Sequence, residues 1–304
     1  MTSPSTENAE EKDSTRPSPI RDEEAGDSQK DLESLSIHPV PCMQGAFEES
    51  IMESADPGQF KKANDKLNTY ARRQQLLELE DFGEEYSSRW RQKPGAKFHP
   101  LWKLIAQISF GINLLYKRQA KSDEEVVKIL QTHVDEVDNF LEDTMADLDL
   151  AIKDIDERIN FLLLALEHGR TFNKMLKDKT FRSAIIDGND IIERILERTS
   201  RAVSHSLQDI DTGTAATAEL AKFLERLGPD WTNGLEHLHG DSIAMRGNAD
   251  GWCRCFADLR IKSDHLTRLM VQLQSIIGEV AKRCGIASRK RTVHLVLTLV
   301  IRQS

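Results

Sequence analysis

Residues 122–166 constrain the chain more than any other stretch. Apolar residues recur there at Val127, Leu130, Val134, Val137, Leu141, Met145, Leu148, Ile152, Ile155, Ile159, Leu162 and Leu166. The steps alternate three and four, with one extra four between Leu141 and Met145. That is the heptad seam of a long helix with one local unwinding. A stripe so narrow is not satisfied alone, so other long helices have to cover it.

Two further seams supply them. One runs Ile192, Ile195, Thr199, Ala202, Ser206, Ile210, Gly213, Thr217, Leu220, Leu224 and Leu227, and its small middle residues let a neighbour approach closely. Gly228-Pro229 stops it. The other runs Met245, Trp252, Cys255 or Phe256, Leu259, Leu266, Leu269, Leu273, Ile276 or Ile277, Val280 and Cys284, with Gly285 expected to end it. A shorter packing helix after Pro100 is marked by Leu101, Leu104, Ile105, Ile108, Ile112 and Leu115.

Ser122-Asp-Glu-Glu125 reads as a capping box opening the first long helix. The chain must turn back between His168 and Asp190. Gly169, Gly188 or residues 178–180 are the available breaks, and Asn189 or Asp190 the caps that would follow a break at Gly188. The expected fold is all-α: an elongated antiparallel bundle of three long helices (122–178, 181–227 and 241–287) plus a shorter N-terminal packing helix, with a disordered N-terminal arm.

Composition divides the 304 residues further. Residues 1–56 are rich in Ser, Thr, Glu, Asp and Pro, and such a segment buries too little apolar surface to offset its ordering entropy. They are read as a disordered acidic arm. Residues 57–97 read as a marginal helix (Phe60, Ala63, Leu67, Ala71 and Leu76 or Leu77, flanked by Lys61, Lys62, Lys66, Arg72 and Arg73) followed by a linker. The bundle takes 98–290. Residues 291–304 form an apolar tail of uncertain status, too short to cross a bilayer.

The net charge of −9 is uneven. Residues 1–97 hold 13 Lys and Arg against 20 Asp and Glu, and the remainder 28 against 30. Neither part has the basic excess of a dedicated nucleic-acid binder, and no nucleic-acid partner is expected. From Asp123 to Glu157 there are 13 acidic residues and 2 basic ones, read as a solvated face that avoids anionic lipid. The four cysteines (Cys42, Cys253, Cys255, Cys284) lack the spacing of a disulfide framework, which suits a reducing, intracellular and cytoplasmic setting.

The chemistry-bearing patterns fail on geometry. His237-x-His239 and Cys253-x-Cys255 offer zinc-type ligands, but residues two apart on a helix point about 200° apart. Asn248-Ala-Asp250-Gly251 echoes a calcium loop whose first and twelfth positions, Arg246 and Ala257, carry no ligand oxygen. Gly240-Asp-Ser242 lacks the strand-to-helix turn of an esterase nucleophile and fits a helix cap at Asp241 or Ser242 better. No glycine-rich phosphate loop is present. The expectation is a non-enzyme with no catalytic residue, cofactor, metal or small-molecule substrate.

An up-down-up bundle makes a bipolar rod. One pole collects Arg170, Lys174, Lys177, Lys179, Arg182, Lys282, Arg283, Arg289, Lys290 and Arg291. The other collects Asp123, Glu124, Glu125, Asp209, Asp211, Glu219, Glu225, Asp230, Glu236 and Asp241. The basic pole is the candidate interaction surface, for an acidic partner or a membrane surface.

The motifs Phe98-His-Pro-Leu-Trp102, Asp154-Ile-Asp-Glu-Arg-Ile159 and Met245-Arg-Gly-Asn-Ala-Asp-Gly-Trp252 are similar to those of uncharacterised long-helix proteins of filamentous fungi, over residues 98–290. The resemblance implies a fungal host and an intracellular setting, and brings no activity or site residue with it. In architecture the three long helices also resemble BAR domains, although the acidic first helix differs from a basic concave membrane face. The expected role is a helical scaffold, binding other proteins or itself through long helical faces. Membrane-surface binding through the basic pole is the alternative.

Overall fold

The computed structural model describes residues 37–55, 67–78, 95–228, 231–232 and 234–303, with backbone alone at residue 55 and over 290–303. Seven α-helices and no strand occur among them: α1 (Gln44–Ala55), α2 (Thr69–Glu78), α3 (Pro100–Tyr116), α4 (Asp123–Glu167), α5 (Gly169–Met175), α6 (Lys179–Leu227) and α7 (His239–Gln303). Single 3-10 turns, Pro41–Met43 and Glu236–Leu238, precede α1 and α7.

The three seams form the core. Leu130, Val134, Val137, Leu141, Leu148, Ile155, Ile159 and Leu162 of α4 are buried against Ile195, Ile210, Leu220 and Leu224 of α6 and Phe256, Leu259, Leu266, Leu273 and Ile277 of α7. Pairs that bond or touch fix the directions. Asp138 of α4 meets Trp252 of α7 and Asp149 meets Lys262, so α4 and α7 run parallel. Asp211 of α6 meets Arg260, Gly213 meets Phe256 and Leu224 meets Arg246, so α6 runs against α7. The up-down-up order expected from the sequence is the one observed. At about 1.5 Å per residue, the 49 residues of α6 extend roughly 70 Å.

α7 packs along both α4 and α6, and so do α3 and then α2. They approach α4 from opposite flanks. Asp149, which meets α7, stands about 200° around the helix from Asp147, which meets α2. The bundle therefore has four corners, three made by long helices. The fourth is filled first by α3, where Leu130 closes on Gly111, and further along by α2.

Four boundaries differ from the sequence expectation. Residues 37–55 of the expected disordered arm are ordered: Val40, Met43, Ala46 and Phe47 are buried, and α1 packs on α3. His38 Nε2 donates to the Ala106 carbonyl at 2.9 Å, and its Nδ1 lies against Val40, 3.0 Å from the N–H and 2.8 Å from the carbonyl. Lys103 of α3 reaches Glu49 and Glu53 of α1 at 2.7 Å each. These few contacts supply the apolar surface that composition alone hid. Residues 1–36, 56–66 and 79–94 lie outside the described residues, and with them most of the expected marginal helix and linker.

α4 ends at Glu167 and not at 178, but the turn lies inside the expected 168–190 window, at His168 beside Gly169 and at 176–178, and Asp178 accepts from the Phe181 N–H at 2.8 Å to cap α6. Gly188 stays helical and Asn189 is buried, so neither Asn189 nor Asp190 is a cap. α7 begins at His239, ahead of the expected caps, and the Ser242 hydroxyl is buried without a hydrogen bond. It also runs past Gly285 to Gln303, because a helical glycine costs only about 1 kcal/mol and Cys284 and Ala287 pack on either side of it.

Candidate interaction surfaces

The acidic face of α4 is only partly a solvated one. Arg72 of α2 donates through Nε to both carboxylate oxygens of Asp147 at 3.0 Å and lies 3.3 Å from Asp143. Arg73 reaches Asp154 at 2.7 Å and the Thr199 hydroxyl of α6 at 3.0 Å, so one side chain spans the groove between the two long helices. Arg198 of α6 donates to the carbonyls of Leu77 and Leu76, at 2.6 and 3.3 Å. Elsewhere on α4, Asp138 accepts from the Trp252 indole N–H at 2.7 Å and Asp149 pairs with Lys262. The expectation of a merely solvated face is corrected: five of these carboxylates receive donors from other helices.

The two carboxylates that hold α2 most closely differ electrostatically. Burial pushes Asp154 up, but hydrogen bonds and charge from Arg73 and Arg158 outweigh it and hold the carboxyl below its ordinary range. At Asp147 burial wins over Arg72, and the carboxyl is raised.

α2 itself is poorly anchored by apolar contact. Leu76, 5% exposed, is its one buried side chain, and the Nε of Arg73 is buried without an acceptor. Past Glu78, among the described residues, no helix lies on the groove. Phe161 lies seven residues beyond Asp154, and Ile191 seven residues before Arg198, which puts each on the stripe that faces α2. Phe161 is 75% exposed and Ile191 49%.

The basic pole forms, with changes. Phe172 and Leu176 pack with Val280 and Cys284, bringing the α5 turn and α7 together. Arg170, Lys174, Lys177, Lys179, Lys282 and Arg289 are exposed around this cluster. Arg283 is half-buried and donates to Glu279 at 2.9 Å. Arg182 is 8% exposed and no surface cation: it donates to the carbonyls of Leu176, Lys177 and Asp178 at 2.7, 3.0 and 3.2 Å. The side chains of Lys290 and Arg291 lie outside the described residues. At the acidic pole, Asp123 meets His237 at 3.3 Å, but Asp209 and Asp211 are well along α6. They hold His99 (2.9 Å) and Arg260, and Asp230 is outside the described residues.

His237 is committed to Asp123, and Cys253 and Cys255 are half-buried on α7. Burial, then Asp250, pushes the Cys253 thiol up; burial, then Asp258 and Asp138, does so at Cys255. Neither is poised as a thiolate ligand. Among the described residues no three His, Cys, Asp or Glu side chains stand close enough to hold a metal ion, and no helix is long and apolar enough to cross a membrane.

Sequence reasoning missed the α2 groove. Arg72-Arg73 reads only as a basic flank, and its partners on α4 and α6 lie 71 to 126 residues away. The local signal was the carboxylate stripe Asp143, Asp147 and Asp154 at spacings of four and seven. No protein-family model, curated protein or solved structure matches the chain.

Proposed function

We propose that this protein is a non-enzymatic helical scaffold that works inside the cell by binding other proteins along the sides of its long helices. The observation that carries this reading is the groove between α4 and α6. It already receives two helices from elsewhere in the chain, and it continues past Glu78 as exposed apolar surface at Phe161 and Ile191. Exposed large apolar side chains aligned on one groove mark an interaction site more often than isolated ones do. Four unpaired cysteines support the intracellular setting. The resemblance to fungal long-helix proteins fits the same reading.

Photo-crosslinking tests it. A photoreactive amino acid at position 161, in cells that make the protein, is expected to give one saturable protein adduct of defined mass. The same amino acid at the exposed Ile261 of α7 is the control. Equal, diffuse labelling at both positions removes the reading.

A second reading rests on the exposed cluster Arg170, Lys174, Lys177 and Lys179 beside the half-exposed Met175. It is a membrane-surface module of the BAR type that meets anionic headgroups end-on. Co-sedimentation with vesicles containing phosphatidylserine at low salt decides it. Pelleting that is lost in a Lys174→Glu/Lys179→Glu variant supports it, and no pelleting dismisses it.

A further inference from the structure

We infer that the α4–α6 groove is the docking site for a basic amphipathic helix of a partner protein, and that α2 occupies it in cis as a removable competitor. The inference rests on the scaffold reading above and names the chemistry of the partner.

Three features make the groove a receptor for a helix of one kind. Its α4 wall presents Asp143, Asp147 and Asp154, which take two adjacent arginines. Its α6 wall presents Arg198, whose guanidinium donates to backbone carbonyls of the docked helix at Leu76 and Leu77. Beyond them Phe161 on the α4 wall and Ile191 on the α6 wall stand exposed. A helix-in-groove ligand needs these elements in this order: arginines, a C-terminal half that reaches Arg198, and an apolar continuation for a longer helix.

The described residues of α2 meet the first two requirements and not the third. Its described residues bury one leucine. Arg73 leaves an N–H without an acceptor, and the carboxylate opposite Arg72 is raised by its own burial. A helix held this way leaves more easily than α3, which buries Leu101, Leu104, Ile105, Ile108, Ile112 and Leu115. A partner helix with the same paired arginines and two more turns of apolar residues covers everything α2 covers, and Phe161 and Ile191 besides.

The test uses the full chain and labelled synthetic peptides, read by fluorescence anisotropy. One peptide has the sequence of residues 67–78. A second continues it by seven residues, with leucines placed to meet Phe161 and Ile191. Wild-type protein is expected to bind the short peptide weakly and the long one at least tenfold more tightly. An Arg72→Glu/Arg73→Glu chain, its own α2 released, is expected to bind both at least tenfold more tightly than wild type. Asp154→Lys in that background is expected to abolish the gain. No gain on releasing α2, with the helical circular dichroism intact, overturns the inference.

If the released variant does not fold, hydrogen exchange on wild-type protein decides the matter. Excess long peptide is expected to strip protection from the α2 amides while α4 and α6 stay protected, and unchanged protection overturns the inference. A released variant that doubles its mass in light scattering, or a position-161 crosslink that lands on residues 79–94 of the same chain, assigns the groove to another occupant and also overturns it. A failed peptide experiment with an intact protein adduct at position 161 sinks the helix inference alone. Loss of that adduct sinks the scaffold reading.

Discussion

Phe256 of α7 rests on the backbone of α6 at Gly213, so closely that a Cβ built there would stand 2.2 Å from the ring's Cζ. The ring has no room to retreat, because it is 1% exposed and lies 6.1 Å from the ring of Phe140 on α4. This is where the small residues in the middle of the α6 seam let α7 approach. Gly213→Ala gains helix propensity worth about 1 kcal/mol. It incurs an overpacking cost of about 1–3 kcal/mol. The expected result is a lower melting temperature, partly restored when Phe256→Leu is added. A rise in melting temperature in the single variant would remove the close packing.

The seam of α4 gives a larger effect. Ile155 is fully buried, and Ile155→Asp places an unpaired carboxylate among apolar neighbours. The expected loss is about 4 kcal/mol or more. Chemical denaturation measures it, and an unchanged midpoint contradicts the placement of the seam.

The bundle was legible because its signal is local. A 3.5-residue period in Leu130, Val134, Val137 and Leu141 is visible without knowing what it packs against. Its partners have the same period. In the fourth corner α3 was legible from its own apolar stripe, but α2 and the packing of α1 on α3 were not, because they are fixed by pairs far apart in the chain: His38 with Ala106, Lys103 with Glu49 and Arg73 with Thr199. Residues 40–47 carry four buried apolar side chains inside a polar tract, too few to stand out from it. Gly188 and Gly285 misled for a simpler reason: tertiary packing outweighs the modest cost of a helical glycine. Arg182 misled because sequence position shows a cation and not the three carbonyls it is turned toward.

That last residue has its own consequence. Arg182 ties the turn after α5 to the start of α6 through three carbonyl acceptors. Arg182→Ala is expected to cost about 2 kcal/mol and to raise hydrogen exchange in α5. Arg170→Ala, at an exposed position on the same pole, is expected to leave the melting temperature unchanged.

Acid should act on the α2 groove and the α1 clamp with opposite signs at different carboxylates. At Glu49, burial pushes the carboxyl up, but Lys103 and the backbone N–H of Lys97 outweigh it and hold it below its ordinary 4.5. Asp154 is likewise held below 3.8. A depressed value contributes stability at neutral pH that is lost as pH falls through the folded value, here below about 4. Asp147 is raised above 3.8, so its ionised form costs stability at neutral pH and the cost lifts as pH falls through that raised value. Asp154→Asn is therefore expected to destabilise at pH 7, by about 1–3 kcal/mol. Asp147→Asn is expected to be neutral or stabilising there. Melting curves from pH 3 to 7 separate the two, and equal destabilisation by both contradicts the assignment.

The most direct test of the charge-held α2 is a swap across its shortest ion pair, Arg73 with Asp154. Hydrogen exchange of the α2 amides in Arg73→Asp, Asp154→Arg and the double variant is the measurement. Each single variant is expected to lose at least tenfold protection in α2 while α4 and α6 keep theirs, and the double variant to recover it. Protection in α2 that is untouched by either single change, or lost equally in the double, would contradict the account.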